Sequence, residues 1–378
     1  MITYVFPGQG SQGKGMGEKL FEEFSELEKR ADRILGYSIR ELCVEDPKNQ
    51  LNLTQYTQPA LFVVNALMYY HKWRETKRKP DYVAGHSLGE YNALLAAEVF
   101  DFETGLELVK KRGELMAQAS GGGMAAVLLL KEEEVREVLE KYHLNSLDIA
   151  NLNSEKQTVL SGPLSEIENA KKLFEQEGAR YMKLKVSAAF HSRYMKEAQV
   201  KFARYMEKFL FLEPKIPVIS NVTAKPYENS QLQFHLAEQL CASVRWRESV
   251  QYLLGLGEME FEEIGPGKVL TKLVAKIKQE VLTMQKAEYG FPVSAAEQKR
   301  KEDGREGNVY SERIKIAQKK AADFNQICPV GSKVICKGQE EVLTTRTKAQ
   351  VLFGHRAAVY VEGYEGYFDL EEIQILPQ

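Results

Sequence analysis

The sequence lacks the features that direct a chain into a membrane, through one, or onto nucleic acid. Its 378 residues contain no apolar run of about 18 residues, the length that a membrane-spanning helix needs. The N-terminus shows no charged segment followed by an apolar stretch and a cleavage site. The formal net charge is only −2, from 51 basic and 53 acidic residues, so no overall field attracts nucleic acid or anionic lipid. We therefore expect a cytoplasmic protein with no nucleic-acid partner and no membrane partner.

Cysteines and nucleotide-binding signatures are scarce as well. The four cysteines are scattered, without a Cys-x-x-Cys pair or a His/Cys cluster, at Cys43, Cys241, Cys328 and Cys336. This spacing favours neither a zinc site nor a disulfide framework. A glycine-rich turn at residues 7–12 fits neither the P-loop pattern nor the dinucleotide-binding fingerprint. We predict that the protein uses no metal and no other cofactor.

What the chain does have is enough apolar sequence for more than one core, since 44% of its residues are hydrophobic. A polar hinge at residues 120–123 precedes a pattern of strand, helix, strand, strand, helix and strand up to residue 186, which is typical of a ferredoxin-like unit. We predict an α/β fold in which an α/β-hydrolase-like body, residues 1–122 and 187–285, carries this ferredoxin-like subdomain, residues 123–186, as an insertion.

The composition changes after the body. Lys, Arg, Glu and Gln dominate residues 298–320, and short β segments with turns follow from residue 328 at 332–337, 341–345, 349–352, 357–362 and 366–370. We predict a charged linker over residues 286–327 and a small β domain, SH3-like and barrel-like, over residues 328–378. We find no catalytic pattern in it.

Helical periodicity predicts two early helices. Apolar residues at helical spacing indicate one amphipathic helix from Gly17 to about Leu35. A second helix, from Ala60 to Trp73, is more uniformly apolar and therefore predicted to be deeply buried, and we expect Pro59 to open it.

The most informative stretch, residues 83–91, is a predicted strand followed by a sharp turn. It holds Gly85, Ser87 and Gly89 in a Gly-x-Ser-x-Gly pattern, and helix-favouring residues follow at once. A turn tight enough to expose the Ser87 hydroxyl crowds the backbone, so that a Cβ atom at either glycine would clash. The N-terminus of the next helix would favour an oxyanion beside the serine. The pattern predicts a nucleophile elbow, the alternative being a chance match in a loop.

A serine hydroxyl needs a base within hydrogen-bond reach to act as a nucleophile. His86 is adjacent in sequence, but strand alternation turns it away from Ser87. Four further histidines stand in polar or surface-like contexts, and we expect no catalytic role for them: His71, His143, His235 and His355. His191 stands between small residues where the chain returns from the predicted subdomain, and clefts form at such junctions. We predict Ser87 as the nucleophile and His191 as its base, the alternative being that His191 is a packed core histidine.

Seven motifs that follow one another along the chain resemble those of the malonyl-CoA:acyl carrier protein transacylase family, which includes the trans-acting acyltransferases of polyketide synthases. The resemblance covers about residues 1–280. The motifs are Phe-Pro-Gly-Gln-Gly-Ser-Gln at 6–12, Thr-Gln-Pro-Ala at 57–60, Gly-His-Ser-Leu-Gly-Glu-Tyr at 85–91, Arg-Gly at 112–113, Ala-Phe-His-Ser at 189–192, Ser-Asn-Val-Thr at 220–223 and Gly-Pro-Gly at 265–267.

The resemblance implies roles for the catalytic residues. It makes Ser87 the acylated nucleophile and His191 the base that activates it and later protonates the leaving thiolate. The family has no triad carboxylate; a backbone carbonyl orients the histidine, and the matching residue here is Gln239. By the same similarity, the N–H groups of Gln9 and Leu88 form the oxyanion hole.

The resemblance also implies how the acyl group is chosen. Arg112 matches the arginine that pairs bidentately with the free carboxylate of a malonyl group; by sequence alone it reads as one more charge on a basic helix face with Lys110 and Lys111. Phe190 resembles the malonyl-selecting pattern, because a bulky ring leaves little space for an α-methyl branch. Such discrimination is worth about 1–3 kcal/mol, which gives a preference and not a bar.

The implied reaction moves a malonyl group from malonyl-CoA to the phosphopantetheine thiol of a holo acyl carrier protein, in polyketide or fatty acid biosynthesis, by a ping-pong mechanism. The extra C-terminal residues favour a polyketide or lipopeptide pathway. One alternative is a hydrolase that removes stalled acyl groups from carrier proteins, which would have no need for Arg112. An alternative of another class is a non-catalytic carrier-protein docking module that uses the C-terminal domain and the basic segment from Lys72 to Lys79.

Overall fold

The computed structural model describes residues 1–186, 188–288, 319–336, 342–352, 356–362, 368–370 and 373–376. The chain divides into two compact units, residues 1–253 with 260–280, and residues 254–259 with 281–378. Each unit contains its own clusters of buried apolar side chains. Most of the predicted charged linker, residues 289–318, lies outside the described residues.

The first unit contains two sheets and the helices that cover them. Its strands are β1 (Ile2–Phe6), β2 (Tyr82–Gly85), β3 (Gly122–Leu128), β4 (Asp148–Ser154), β5 (Gln157–Pro163), β6 (Arg180–Lys183), β7 (Val218–Ile219) and β8 (Glu260–Glu263). The helices are α1 (Glu18–Glu23), α2 (Ser25–Leu35), α3 (Ile39–Val44), α4 (Thr54–Thr76), α5 (Gly89–Ala96), α6 (Phe102–Gln118), α7 (Glu132–Lys141), α8 (Leu164–Gln176), α9 (Lys196–Met206), α10 (Leu232–Glu238), α11 (Trp246–Gly255) and α12 (Val269–Glu288), the last two of which extend past the unit's bounds.

A parallel sheet in the order β7-β2-β1-β8 forms the centre of this unit. Every residue of β1 is buried, as expected for a parallel strand covered on both faces. Phe6 pairs with Gly85 at the last position of the β1–β2 register. The loops that follow β1 and β2 therefore leave the same edge of the sheet side by side, and this edge carries the candidate site.

Two of the predicted helices differ from those in the structure. Pro59 lies inside α4 and does not open it. The helix begins at Thr54, and the Thr57 hydroxyl stabilises its first turn by donating to the carbonyl of Leu51 at 2.6 Å. Pro59 therefore lies after the start of the helix. The single helix predicted from Gly17 to Leu35 is two helices, because the buried Phe24 leaves helical geometry at φ −116° and ψ 42°.

A separate antiparallel sheet has the order β4-β5-β3-β6. Along the chain its elements run β3, α7, β4, β5, α8 and β6. It encloses its own apolar cluster, in which the ring of Phe174 stacks on that of Tyr181 with centroids 5.7 Å apart. A bridge between Asn151 and Val244 joins this sheet to the segment before α11.

The second unit is built from short strands, β9 (Lys333–Cys336), β10 (Leu343–Thr344), β11 (Gln350–Leu352), β12 (Arg356–Val359), β13 (Phe368–Asp369) and β14 (Ile373–Ile375). They form two antiparallel sheets of three strands, in the orders β10-β9-β14 and β11-β12-β13, and residues 319–327 are helical. The sequence analysis did not predict β14; residues 337, 341, 366 and 367 of its other segments lie outside the described residues. Among the helices that the structure describes, none combines the length and the apolarity needed to cross a bilayer.

Candidate active site

The turn after β2 places Ser87 in a strained conformation. Its φ of +52° lies in the left-handed region that residues with a Cβ atom seldom adopt. A Cβ atom on Gly85 would lie 1.9 Å from the carbonyl carbon of Gly89, and one on Gly89 would lie 1.9 Å from the carbonyl oxygen of Phe6. The predicted steric need for both glycines is therefore confirmed.

Two side chains from distant segments hold the backbone of Ser87. The Ser87 N–H donates to Asn221 Oδ1 at 2.7 Å, and Gln239 Nε2 donates to the Ser87 carbonyl at 2.9 Å. The Asn221 amide also donates to the Gly85 carbonyl at 2.6 Å. Both polar groups of the strained residue are thus satisfied, which offsets the cost of its conformation.

His191 lies next to the Ser87 hydroxyl. Its Nε2 is 2.7 Å from Ser87 Oγ, and its Nδ1 is 2.7 Å from the Gln239 carbonyl oxygen. Because that carbonyl can only accept, Nδ1 carries the hydrogen and Nε2 has the lone pair that faces the serine. The side chain is 4% exposed, and burial, together with the charge of Arg112, lowers the pKa of His191 to about 3. The imidazole is therefore neutral at neutral pH, as a base must be.

The glycine-rich loop after β1 runs against the elbow. A Cβ atom on Gly8 would be 2.3 Å from the His86 carbonyl oxygen and 3.5 Å from the Leu88 nitrogen. Within the described ranges, the backbone N–H groups of Gln9 and Leu88 have no hydrogen-bond acceptor. Two unpaired donors thus lie on adjoining loops beside Ser87.

Arg112 is buried beside the serine, at 1% exposure, and does not lie on the outer face of α6. Its Nη2 donates to Ser87 Oγ at 3.1 Å and to Gln239 Oε1 at 2.7 Å, and its Nη1 donates to Gln58 Oε1 at 2.6 Å. Its Nε makes no hydrogen bond to a described residue, and the guanidinium carbon lies 5.5 Å from the ring centroid of the buried Tyr91. In the part of the chain that the structure describes, no carboxylate forms an ion pair with this guanidinium. Within those residues its charge is balanced only at longer range, by the buried Glu90 carboxylate.

The sequence analysis assigned no role to Glu90, although it is fully buried in the same place. Its carboxylate accepts hydrogen bonds from the Tyr227 hydroxyl at 2.5 Å, from the Asn221 N–H at 3.0 Å and from Gln239 Nε2. Burial raises the pKa of Glu90 to about 7, against the effect of these donors. Its place in the motif at residues 85–91 was the only feature of the sequence that could have indicated a role in the site. Its hydrogen-bond partners come from remote segments.

The other predicted residues lie nearby. Phe190 precedes His191 and is buried in the main apolar cluster. His86 turns away from Ser87, as predicted, and its Nε2 hydrogen-bonds Asn153 Oδ1 at 2.8 Å. Over the described residues, no group of three or more His, Cys, Asp or Glu side chains could hold a metal ion.

A strained serine on an elbow, a neutral histidine oriented by a carbonyl and two free N–H groups are the parts of an acyl-transferring site. The sequence matches the acyl transferase domain family over residues 3–301, and the chain belongs to that family.

Individual relatives are named more narrowly. The chain is 58% identical, over 286 residues, to the polyketide biosynthesis malonyl CoA-acyl carrier protein transacylase PksC of Bacillus subtilis, an alignment that covers 75% of this chain and 99% of the relative. The crystal structure of a malonyl CoA-acyl carrier protein transacylase from Burkholderia pseudomallei matches with a TM-score of 0.73 at 51% identity, over 74% of this chain and 98% of the other. A malonyl-transacylase in complex with a type II PKS acyl-carrier protein matches with a TM-score of 0.69 at 35% identity, over 73% and 92%. These structures share the α/β fold.

Proposed function

We propose that the protein transfers a malonyl group from malonyl-CoA to the phosphopantetheine thiol of a holo acyl carrier protein. The observation that carries this proposal is the buried Arg112, whose guanidinium has no direct ion-pair partner among the described residues and donates to the oxygen of the candidate nucleophile. An acyl group that carries a free carboxylate would find a charged, planar donor next to the serine that it acylates. The names of the similar proteins support the same donor and the same acceptor.

In the first half-reaction, His191 Nε2 takes the proton of the Ser87 hydroxyl as Oγ bonds to the thioester carbon. The N–H groups of Gln9 and Leu88 stabilise the oxyanion of the tetrahedral intermediate. The bond from carbon to sulfur then breaks, and His191 returns the proton to the leaving CoA thiolate. The Gln239 carbonyl stabilises the imidazolium that exists between the two proton transfers.

The second half-reaction repeats these steps with the carrier thiol. His191 takes the thiol proton, the sulfur attacks the malonyl ester carbon, and the bond between that carbon and Ser87 Oγ breaks. The oxygen recovers its proton from His191. The thioester energy of the donor is kept in the product, so the two half-reactions need no further reactant.

The finer predictions belong to the same proposal. We propose that Phe190 limits α-branched acyl groups, that residues 123–186 form a ferredoxin-like subdomain beside the cleft, and that residues 328–378 form a small SH3-like domain. The relative from polyketide biosynthesis supports a polyketide pathway for this chain. A cytoplasmic location remains a prediction.

The docking-module alternative relies on a basic segment in which some of the cations are paired within the fold. Lys72 Nζ lies 2.6 Å from a Glu262 oxygen, and Lys79 Nζ lies 3.2 Å from a Glu98 oxygen. These cations are paired within the fold, and a partner would have to compete for them.

Intact-protein mass spectrometry after incubation with malonyl-CoA, and then with holo carrier protein, tests the proposal. We expect a malonyl adduct on Ser87 that passes to the carrier, no adduct in Ser87→Ala, and adduct formation slowed about a hundredfold in Arg112→Ala. An adduct lost mainly to water, in an enzyme that removes acetyl groups from carriers, would identify an editing hydrolase instead.

A further inference from the structure

Two neutral amide oxygens hold the guanidinium of Arg112. Gln58 Oε1 accepts from Nη1 at 2.6 Å and Gln239 Oε1 accepts from Nη2 at 2.7 Å. Both glutamines are buried, at 1% and 0% exposure. A buried arginine usually pairs with a carboxylate, because an uncompensated buried charge is costly. Here the fold fixes the arginine and leaves its charge unpaired.

A buried carboxylate is nevertheless present, one amide group away. Gln239 Nε2 donates to Glu90 and to the Ser87 carbonyl, while Oε1 of the same amide accepts from Arg112. If this amide were turned over, its NH₂ group would face the donor of Arg112 and its oxygen would face two acceptors. Glu90 therefore fixes the orientation in which the Gln239 side chain presents oxygen to Arg112.

We propose that Gln239 is a specificity-determining positioning residue: its neutral side chain, oriented by Glu90, holds Arg112 in place without neutralising it and so reserves the arginine for the carboxylate of the incoming acyl group. This inference rests on the proposed malonyl transfer. It concerns the side chain of Gln239 and is separate from the contact of its backbone carbonyl with His191.

The physical reason is competition for one cation. A carboxylate at position 239 would form a charge-assisted bond to Arg112 that is about twice as strong as a neutral one. The malonyl carboxylate would then have to displace it or share the guanidinium. A neutral acyl group, such as acetyl, makes no use of the arginine's charge and would be much less affected. The signature of the proposed role is therefore a change in the ratio of malonyl to acetyl acylation.

The double variant Glu90→Gln/Gln239→Glu tests this directly. It moves the buried negative charge from one side of the amide contact to the other, keeps the net charge, and keeps a donor facing an acceptor between positions 90 and 239. The assay measures the rate of Ser87 acylation by malonyl-CoA and by acetyl-CoA at about pH 8, where Glu90 is ionised in the wild type because its pKa is about 7. We expect the malonyl to acetyl ratio of these rates to fall by about tenfold or more.

Gln239→Met is the matched control. Like the double variant, it loses the donor to the Ser87 carbonyl, and it keeps the backbone carbonyl that faces His191, but it adds no charge beside Arg112. Because it also removes the oxygen that holds Arg112 Nη2, we expect both acylation rates to fall, with a smaller decrease in their ratio than in the double variant. If the ratio in the double variant lies within about threefold of the control, the neutrality of Gln239 does not set specificity and the proposal is wrong.

Gln58→Glu provides a second test in case the double variant does not fold. It places a carboxylate on the other side of Arg112, away from Glu90, and disturbs one further contact, of Gln58 Nε2 with the Met116 sulfur at 3.4 Å. We expect the ratio to fall in the same direction, and an unchanged ratio in a folded variant would overturn the proposal. Failure of the wild-type enzyme to be acylated by malonyl-CoA would instead refute the proposed function itself.

Discussion

The two sheets of the first unit differ in the kind of residues that lie against them. The antiparallel sheet encloses an apolar cluster that includes Phe174 and Tyr181. The edge of the parallel sheet carries the left-handed Ser87. Among the described residues, the acidic and basic side chains that are fully buried are Glu90 and Arg112, and both lie at this edge.

This difference shows that the fold places the two fully buried charges of the described residues, together with the strained Ser87, at the parallel edge. Backbone strain and buried charge are each unfavourable by about 1–3 kcal/mol or more, and they persist only where neighbouring groups hold them. Asn221 and Gln239 supply those groups, because each hydrogen-bonds both Ser87 and Glu90. Changes at the parallel edge should therefore affect activity and stability together, whereas changes in the apolar cluster of the antiparallel sheet, which is remote from Ser87 in the chain, should affect stability alone.

The largest effect is expected for Gly89→Ala. The new Cβ atom would lie 1.9 Å from the Phe6 carbonyl oxygen, so the elbow must move, which we expect to cost more than about 3 kcal/mol of unfolding free energy and at least a hundredfold in acylation rate. Gly13→Ala is the control, because a Cβ atom there meets nothing within 4 Å. Denaturant unfolding and the burst of CoA release measure both effects, and equal behaviour of the two variants would refute the steric argument.

A core change in the antiparallel sheet should separate stability from activity. Phe174→Leu removes the ring that stacks on Tyr181 and should lower the unfolding free energy by about 1–3 kcal/mol. The acylation rate per folded molecule should stay within about twofold of the wild type. A large loss of rate in the folded variant would mean that this sheet shapes the site directly.

The pH dependence should reflect the lowered pKa of His191, about 3. This value is below the pKa of a histidine in the unfolded chain, about 6.5. The contribution of His191 to stability is therefore complete above about pH 6.5 and is lost as the pH falls toward 3. We expect the acylation rate to show no acid-side fall centred near 6.5. A pH–rate profile tests this, and a fall centred there that persists in Glu90→Gln would show that His191 titrates as an ordinary histidine.

The smallest effect is expected from deleting residues 290–378. The first unit and its site end before this segment, so malonyl transfer to a free carrier protein should remain largely intact. Transfer rates of the deleted and full-length enzymes give the comparison. A loss greater than about tenfold would mean that the C-terminal residues belong to the catalytic unit.

The sequence was informative where the physical cause is local. Gly85 and Gly89 are required by contacts within the elbow and with β1, and a Gly-x-Ser-x-Gly pattern between a strand and a helix reports such crowding. His191 is 104 residues from Ser87, but its position between small residues at a predicted junction still identified it. The interpretation of Arg112 as a surface charge was wrong, since its side chain is buried, and only the family resemblance assigned it to substrate binding.

The remaining features depend on contacts between remote segments. Glu90 accepts hydrogen bonds from donors at positions 221, 227 and 239. No spacing in the sequence indicates that these residues lie close to Glu90. Pro59 was expected to begin a helix because proline favours first turns. The helix instead begins before it, in a turn that is stabilised by the hydrogen bond of the Thr57 hydroxyl. The short β14, Ile373–Ile375, was also missed, because what makes it a strand is its pairing with the remote β9.

The structure of the malonyl-enzyme tests the central claim most directly. Crystals of the wild-type protein exposed to malonyl-CoA, without a carrier protein, should contain the acyl group on Ser87. The account predicts that its free carboxylate lies within hydrogen-bond distance of the Arg112 guanidinium, while Gln239 Oε1 still accepts from Nη2. A carboxylate that points away from Arg112, with the arginine bonded only to Gln58 and Gln239, would contradict it.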